Sequence, residues 1–212
     1  MQDKTIAENT RKQKIGIMGG TFDPIHIGHL ILGEVACEQL GLDKVFYMPS
    51  GNPPHKQDNT ITPDINRCAM VDLAIFDNDR FTLSLLEVNR GGFTYTADTL
   101  RELNEKHPDC EFYFIVGGDS LISLEKWREP DVVLKLCTLV AAVRDEVDCN
   151  AVDKQIEYLN EKYNCDIIKL KTPNIEISSS LIRELVKDHK SVKYYVPSLV
   201  EEYIKKHKLY ID

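Results

Sequence analysis

Short apolar runs alternate with stretches of helical spacing along most of the chain. Lys14 to Met18 is such a run and ends in Gly19-Gly20, and from Ile27 to Leu40 the apolar positions fall at helical spacing until Gly41. The pattern predicts strand, glycine turn and helix. Val45 to Met48 reads as a second buried strand, followed by a polar loop from Ser50 to Ile61 that holds Pro53, Pro54, His55 and Lys56. Thr62 before Pro63 predicts a helix to about Phe76, with the threonine as its cap. A strand over Phe81 to Leu86, a helix over Tyr95 to Lys106 and a strand over Phe112 to Val116 follow, the last running into Gly117-Gly118-Asp119-Ser120. Leu139 to Val143 and Ile167 to Leu170 supply further strands around a helix at about Asp153 to Tyr163.

This βαβα rhythm predicts an α/β fold: a doubly wound, Rossmann-like parallel sheet covered on both faces. The tail differs, because Ser180 to Lys187 and Ser198 to His207 are both helical, the second opened by a Ser198-x-x-Glu201 capping box after Pro197. The expected organisation is a polar N-terminal extension over residues 1–13 and one domain over 14–212, with a small C-terminal helical subdomain from about residue 178.

Composition narrows the class. The chain has 212 residues, 42% hydrophobic and 28% charged, close to globular averages and far from those of a disordered or collagen-like chain. No apolar run approaches the roughly 20 residues that span a bilayer, and the mixed charges of the first residues do not resemble a signal peptide. A cytoplasmic protein is expected. The six cysteines show no Cys-x-x-Cys spacing, so plain thiols are expected. A net charge of -8 disfavours nonspecific association with nucleic acid or anionic membrane, while leaving room for a locally basic pocket.

Candidate chemistry concentrates after the first strand. In an open parallel sheet, ligands bind beyond the carboxyl ends of the strands, where glycines admit a phosphate and the next helix offers free amides. Gly19 and Gly20 lie at that place, but the segment is neither the dinucleotide glycine pattern nor the Walker loop. His26 and His29, three apart at the start of a helix, can project to one side of its first turn, with Gly28 leaving room for close approach. A zinc site is the weaker reading, because no third acidic or thiol ligand accompanies them. Near the far end, Ser178, Ser179 and Ser180 precede an apolar-periodic helix, and Arg183 one turn in can fork onto phosphate oxygens. Standing alone, that segment reads equally as a helix cap with a surface arginine.

Together the two segments resemble the nucleotidylyltransferase superfamily. His26-Ile27-Gly28-His29, within Gly19 to His29, is similar to its His-x-Gly-His signature, and Ile177-Ser178-Ser179-Ser180-Leu181-Ile182-Arg183 to its Ile-Ser-Ser-Thr/Ser-x-Ile-Arg signature. Pro53-Pro54-His55-Lys56, Tyr95-Thr96-Ala97-Asp98-Thr99-Leu100, Gly117-Gly118-Asp119-Ser120 and Lys126-Trp127 extend the resemblance to bacterial nicotinate-nucleotide adenylyltransferases, after the first dozen residues.

The resemblance implies transfer of the adenylyl group of ATP to nicotinate mononucleotide, giving deamido-NAD and pyrophosphate in NAD biosynthesis. It implies catalytic roles for His26, His29, Lys56 and Arg183. It places ATP at Gly19, Gly20, Thr21, Phe22, His26, Gly28, His29, Gly117, Asp119, Ile177, Ser178, Ser179, Ser180 and Arg183. The acceptor falls to Lys56, Tyr95, Thr96, Asp119, Trp127, Arg128 and Arg144, with backbone amides near Thr96 and Arg128 on the nicotinate carboxylate and Trp127 against its ring. Mg2+ is expected to arrive with ATP, since the sequence shows no dedicated carboxylate cage. The sequence leaves open a homo-oligomer, an adenylyltransferase for nicotinamide mononucleotide or phosphopantetheine, and a nucleotide-binding sensor without turnover.

Overall fold

The computed structural model describes residues 11–52, 61–143 and 146–211, except the side chains of 146–150. In chain order the elements are β1 (Gln13–Gly20), α1 (Ile27–Leu40), β2 (Lys44–Pro49), α2 (Asp64–Ile75), β3 (Phe81–Leu83), α3 (Leu86–Arg90), α4 (Thr96–Lys106), β4 (Cys110–Gly117), α5 (Gly118–Ile122), α6 (Pro130–Leu136), β5 (Thr138–Val143), α7 (Glu146–Tyr163), β6 (Ile168–Lys171), α8 (Ser179–Lys187) and α9 (Ser198–Lys206), with a 3-10 turn at Leu124–Lys126. The six strands form one sheet in the order β3-β2-β1-β4-β5-β6, and every pairing is parallel. The expected doubly wound α/β fold is therefore the observed one.

Strand periodicity divides the interior into two layers. On β1, Ile15 and Ile17 face one core while Met18 faces the other; on β4, Phe112, Phe114 and Val116 oppose Tyr113 and Ile115. One layer packs Met70, Val71 and Ala74 of α2 with Ile182 of α8 and Val200 and Ile204 of α9. The other packs Leu100 and Leu103 of α4 with Leu121, Val133 and Leu159. The C-terminal helices thus cover the same face of the sheet as α1 and α2.

Several local expectations shift. Gly19 and Gly20 are not a turn: they close β1, paired with Met48 and Pro49, and the chain reverses after them, where Phe22 adopts a φ of 50°. The α2 cap is Pro63 rather than Thr62, because the proline already holds the extended backbone the position needs, at φ -49° and ψ 143°. The same applies at α9, where Pro197 is the N-cap and Ser198 the first helical residue, so no Ser198–Glu201 capping box forms; Glu201 pairs with Lys205 at 2.5 Å instead. β3 stops at Leu83 because it borders only β2, through three residues, and the chain turns into α3. α7 begins at Glu146, upstream of the expected start.

Candidate active site

The order of the strands reverses between β1 and β4, so their carboxyl ends diverge and leave a crevice. A cavity of about 850 Å³ occupies it. Its walls include Gly19, Gly20, Thr21 and His29 on the β1 side, Gly117 at the end of β4 and Ser120 after it, and Tyr95, Thr96, Lys126, Trp127 and Arg128 across from them.

His26 is the N-cap of α1 and His29 its third residue, and their rings stack with centroids 3.7 Å apart. The backbone N–H of His26 donates to Nδ1 of His29 at 3.2 Å, which fixes the neutral imidazole of His29 with its proton on Nε2. The Tyr47 hydroxyl donates to the His29 carbonyl at 3.0 Å, and it fits there because residue 33 is glycine: a Cβ at Gly33 would collide with that hydroxyl. His29 lines the cavity, whereas His26 and Phe22 are buried behind it.

The second motif grips the first. Ser179 Oγ donates to the Pro24 carbonyl at 2.8 Å and Arg183 Nη1 to the Asp23 carbonyl at 2.7 Å, while Ser178 caps α8 by accepting from the Leu181 N–H at 3.1 Å. The same turn is held from the end of the chain: the Tyr210 hydroxyl donates to Oδ1 of the buried Asp23 at 2.7 Å, and the Thr62 N–H donates to Oδ2 at 3.1 Å. Ile177, Ser178, Ser179, Ser180, Arg183, Gly28 and the exposed Asp119 are not among the residues that line the cavity. Lys56 and Arg144, with Pro53 to His55, lie outside the described residues.

At the other end, Tyr95 is the N-cap of α4 and Thr96 its first residue, so the positive end of an eleven-residue helix opens toward the cavity. The Arg128 guanidinium lies 4.7 Å from the Tyr95 ring centroid and 3.5 Å from Asp98. Trp127 packs edge-on against Phe114 at 6.2 Å.

Two residues that the sequence reading passed over organise this site. Arg67, fully buried on α2, donates to the carbonyls of Thr21 at 2.5 Å, Ser50 at 2.7 Å and Thr62 at 3.0 Å, and pairs with Asp64. It therefore ties together the turn after β1, the turn after β2 and the entry to α2. A signal existed, since Arg67 shares the apolar stripe of Met70, Val71 and Ala74 on α2. Glu87 of α3 lines the cavity; burial pushes its carboxyl above the ordinary value, opposed by a hydrogen bond from Thr99 and by Arg90.

A family profile described as Cytidylyltransferase-like matches residues 17–185. A protein of Lachnoclostridium phytofermentans named "Probable nicotinate-nucleotide adenylyltransferase" is 47% identical over 94% of this chain and all of its own length. The chain belongs to the nicotinate-nucleotide adenylyltransferase family. A relative of the same name from Thermoanaerobacter is 41% identical over 94% of this chain and 95% of its own. In fold, the chain is similar to the nicotinic acid mononucleotide adenylyltransferase of Plasmodium falciparum, solved in complex with NaAD: TM-score 0.77, 22% identity, 93% of this chain and 97% of that one. For this family member, no helix among the described residues is long and apolar enough to cross a membrane.

Proposed function

We propose that this adenylyltransferase family member joins the 5′-phosphate of nicotinate mononucleotide to the α-phosphorus of ATP, releasing pyrophosphate and giving deamido-NAD. The observation that carries this reading is the single cavity at the β1/β4 switch point, with His29 and the β1 glycines at one end and Tyr95, Thr96, Trp127 and Arg128 at the other. ATP takes the first end and the acceptor the second. One P–O bond forms as the bond between the α-phosphorus and the bridging oxygen breaks, and the departing pyrophosphate carries away the electron pair. The acceptor phosphate is already ionised at neutral pH, so no protein nucleophile is needed; the enzyme aligns the two phosphates and neutralises charge.

In this scheme the Nε2–H of His29 donates to a nonbridging phosphate oxygen. His26 acts from behind it, holding the tautomer and ring position of His29. Arg183 and Ser179 hold the turn that precedes them, and Arg183 Nη2 supports the triphosphate. The α4 N-terminus and Arg128 favour the nicotinate carboxylate over a neutral amide, and Trp127 faces the ring. Mg2+ would enter with ATP and would neutralise charge on its phosphate oxygens. The expected setting is the cytoplasm, where both nucleotides would be available.

The test is pyrophosphate release from ATP with nicotinate mononucleotide, nicotinamide mononucleotide and phosphopantetheine in turn. Turnover with the first, well above the other two, is the expected result. A preference for the amide would reverse the acceptor assignment, and silence with all three would replace catalysis by nucleotide sensing.

A further inference from the structure

Glu87 is a carboxylate on the wall of a cavity that, on the reading above, receives an acceptor with two anionic groups. Direct contact between like charges would weaken binding, so its presence calls for another use. Its oxygens are turned to neighbours in the protein. Oε1 accepts from the Thr99 hydroxyl at 2.8 Å, and Glu87 and Thr94 both line the cavity. Thr94 and Thr99 are both buried and flank the pair Tyr95-Thr96. The carboxylate thus holds a residue in the first turn of the helix that this pair opens.

The surroundings fix Glu87 itself. Its backbone carbonyl lies against Gly51, where a Cβ would come within 2.8 Å of it, so the turn after β2 presses directly on α3. The Thr94 N–H donates to the Asn52 carbonyl at 3.1 Å, closing the same seam. Arg90, one turn on, donates from Nη1 to Thr99 Oγ1 at 3.1 Å and from Nη2 to Glu102 at 2.6 Å. Thr99 therefore accepts from Arg90 and donates to Glu87, which sets the direction of its hydroxyl.

We propose that Glu87 is a positioning residue for the acceptor: by holding Thr99 in the first turn of α4 it sets the Tyr95-Thr96 turn, so that the α4 amides and the Tyr95 ring meet the mononucleotide in register. This rests on the acceptor reading above. The ATP end of the cavity, built on the turn after β1, makes no use of this contact.

The experiment compares full-length wild type with Glu87→Gln, Glu87→Ala, Thr99→Val and the Glu87→Ala/Thr99→Val pair, measuring kcat and both KM values after thermal melts confirm folding. Glu87→Ala and Thr99→Val should each raise the KM for nicotinate mononucleotide about tenfold, with the ATP KM unchanged and kcat changed far less. The double variant should be no worse than Glu87→Ala alone, because both remove one contact. Glu87→Gln, which keeps an acceptor oxygen for Thr99, should recover most of the loss. Additive effects, an equal rise in both KM values, or an unchanged acceptor KM in Glu87→Ala would overturn the proposal. If wild type itself fails to turn over nicotinate mononucleotide, it is the acceptor reading that fails.

Discussion

Replacing Arg67 by methionine tests how far a single buried side chain holds the site together. The guanidinium is fully buried and donates to the carbonyls of Thr21, Ser50 and Thr62, while its carboxylate partner Asp64 is 45% exposed. Methionine fills much of the space but donates nothing. Asp64 would turn to water at little cost, so the loss falls on the three carbonyls, at about 1–3 kcal/mol for each one left buried without a donor. Methionine also avoids the desolvation of a cation, which offsets part of that sum and brings the net to roughly 3 kcal/mol. In a chain of this size each kcal/mol lowers Tm by about 2–4 °C, so a drop of about 6–12 °C is expected. Because the three carbonyls belong to the turns after β1 and β2 and the entry to α2, kcat/KM should fall even at temperatures where the variant is fully folded. Urea titration and steady-state kinetics at 15 °C, chosen as roughly the region of maximum stability, measure both. Arg67→Lys should lie between, since one ammonium cannot span all three carbonyls. A methionine variant with wild-type Tm and kcat/KM would show that the carbonyls find other donors and that the reasoning is wrong.

Other outcomes follow from the same geometry. His29→Ala should lower kcat by about 10²–10³, the scale for loss of one donor to a developing oxyanion, while melting normally; a near-normal kcat would remove His29 from the reaction. Trp127→Ala should raise the acceptor KM by about three- to tenfold and leave the ATP KM alone, which isothermal titration with each nucleotide can check. Tyr210→Phe deletes only the hydroxyl that reaches Asp23, so denaturant unfolding should report a loss of about 1.5–3 kcal/mol, and an unchanged midpoint would show the bond to be inconsequential.

The sheet was legible because its central strands are buried on both faces, and α2 and α4 because each carries an apolar stripe. Residues 15 to 18 and 112 to 116 state their burial outright, and α1 ends where the spacing ends. What the pattern missed is short. α3 and α5 have five residues each and α6 seven, too few for a 3.6-residue period to show above chance. For α6 a local signal did exist, since Pro130 stands at its first position, the place where a missing N–H costs nothing. Capping failed at α2 and α9 for a related reason: Thr62 and Ser198 have the right chemistry, but the neighbouring prolines fix the backbone and take the cap position themselves.

The site was legible in type and less so in partner. Motif spacing brought His29, Tyr95, Thr96, Trp127 and Arg128 into one cavity, yet it says nothing about what a donor will find there. A carbonyl and a phosphate oxygen ask the same of a guanidinium, so Arg183 read from sequence as a phosphate fork and folds onto the Asp23 carbonyl through Nη1 at 2.7 Å. Among the described residues Nη2 reaches only Ser180 Oγ, at 3.4 Å, and a triphosphate oxygen is the stronger acceptor. The two uses are compatible, because a partly buried arginine anchored by one nitrogen presents the other already oriented, with less side-chain entropy left to lose on binding. Arg67, by contrast, donates to the protein from all three of its nitrogens and is fully buried, so it shapes the site from behind its walls.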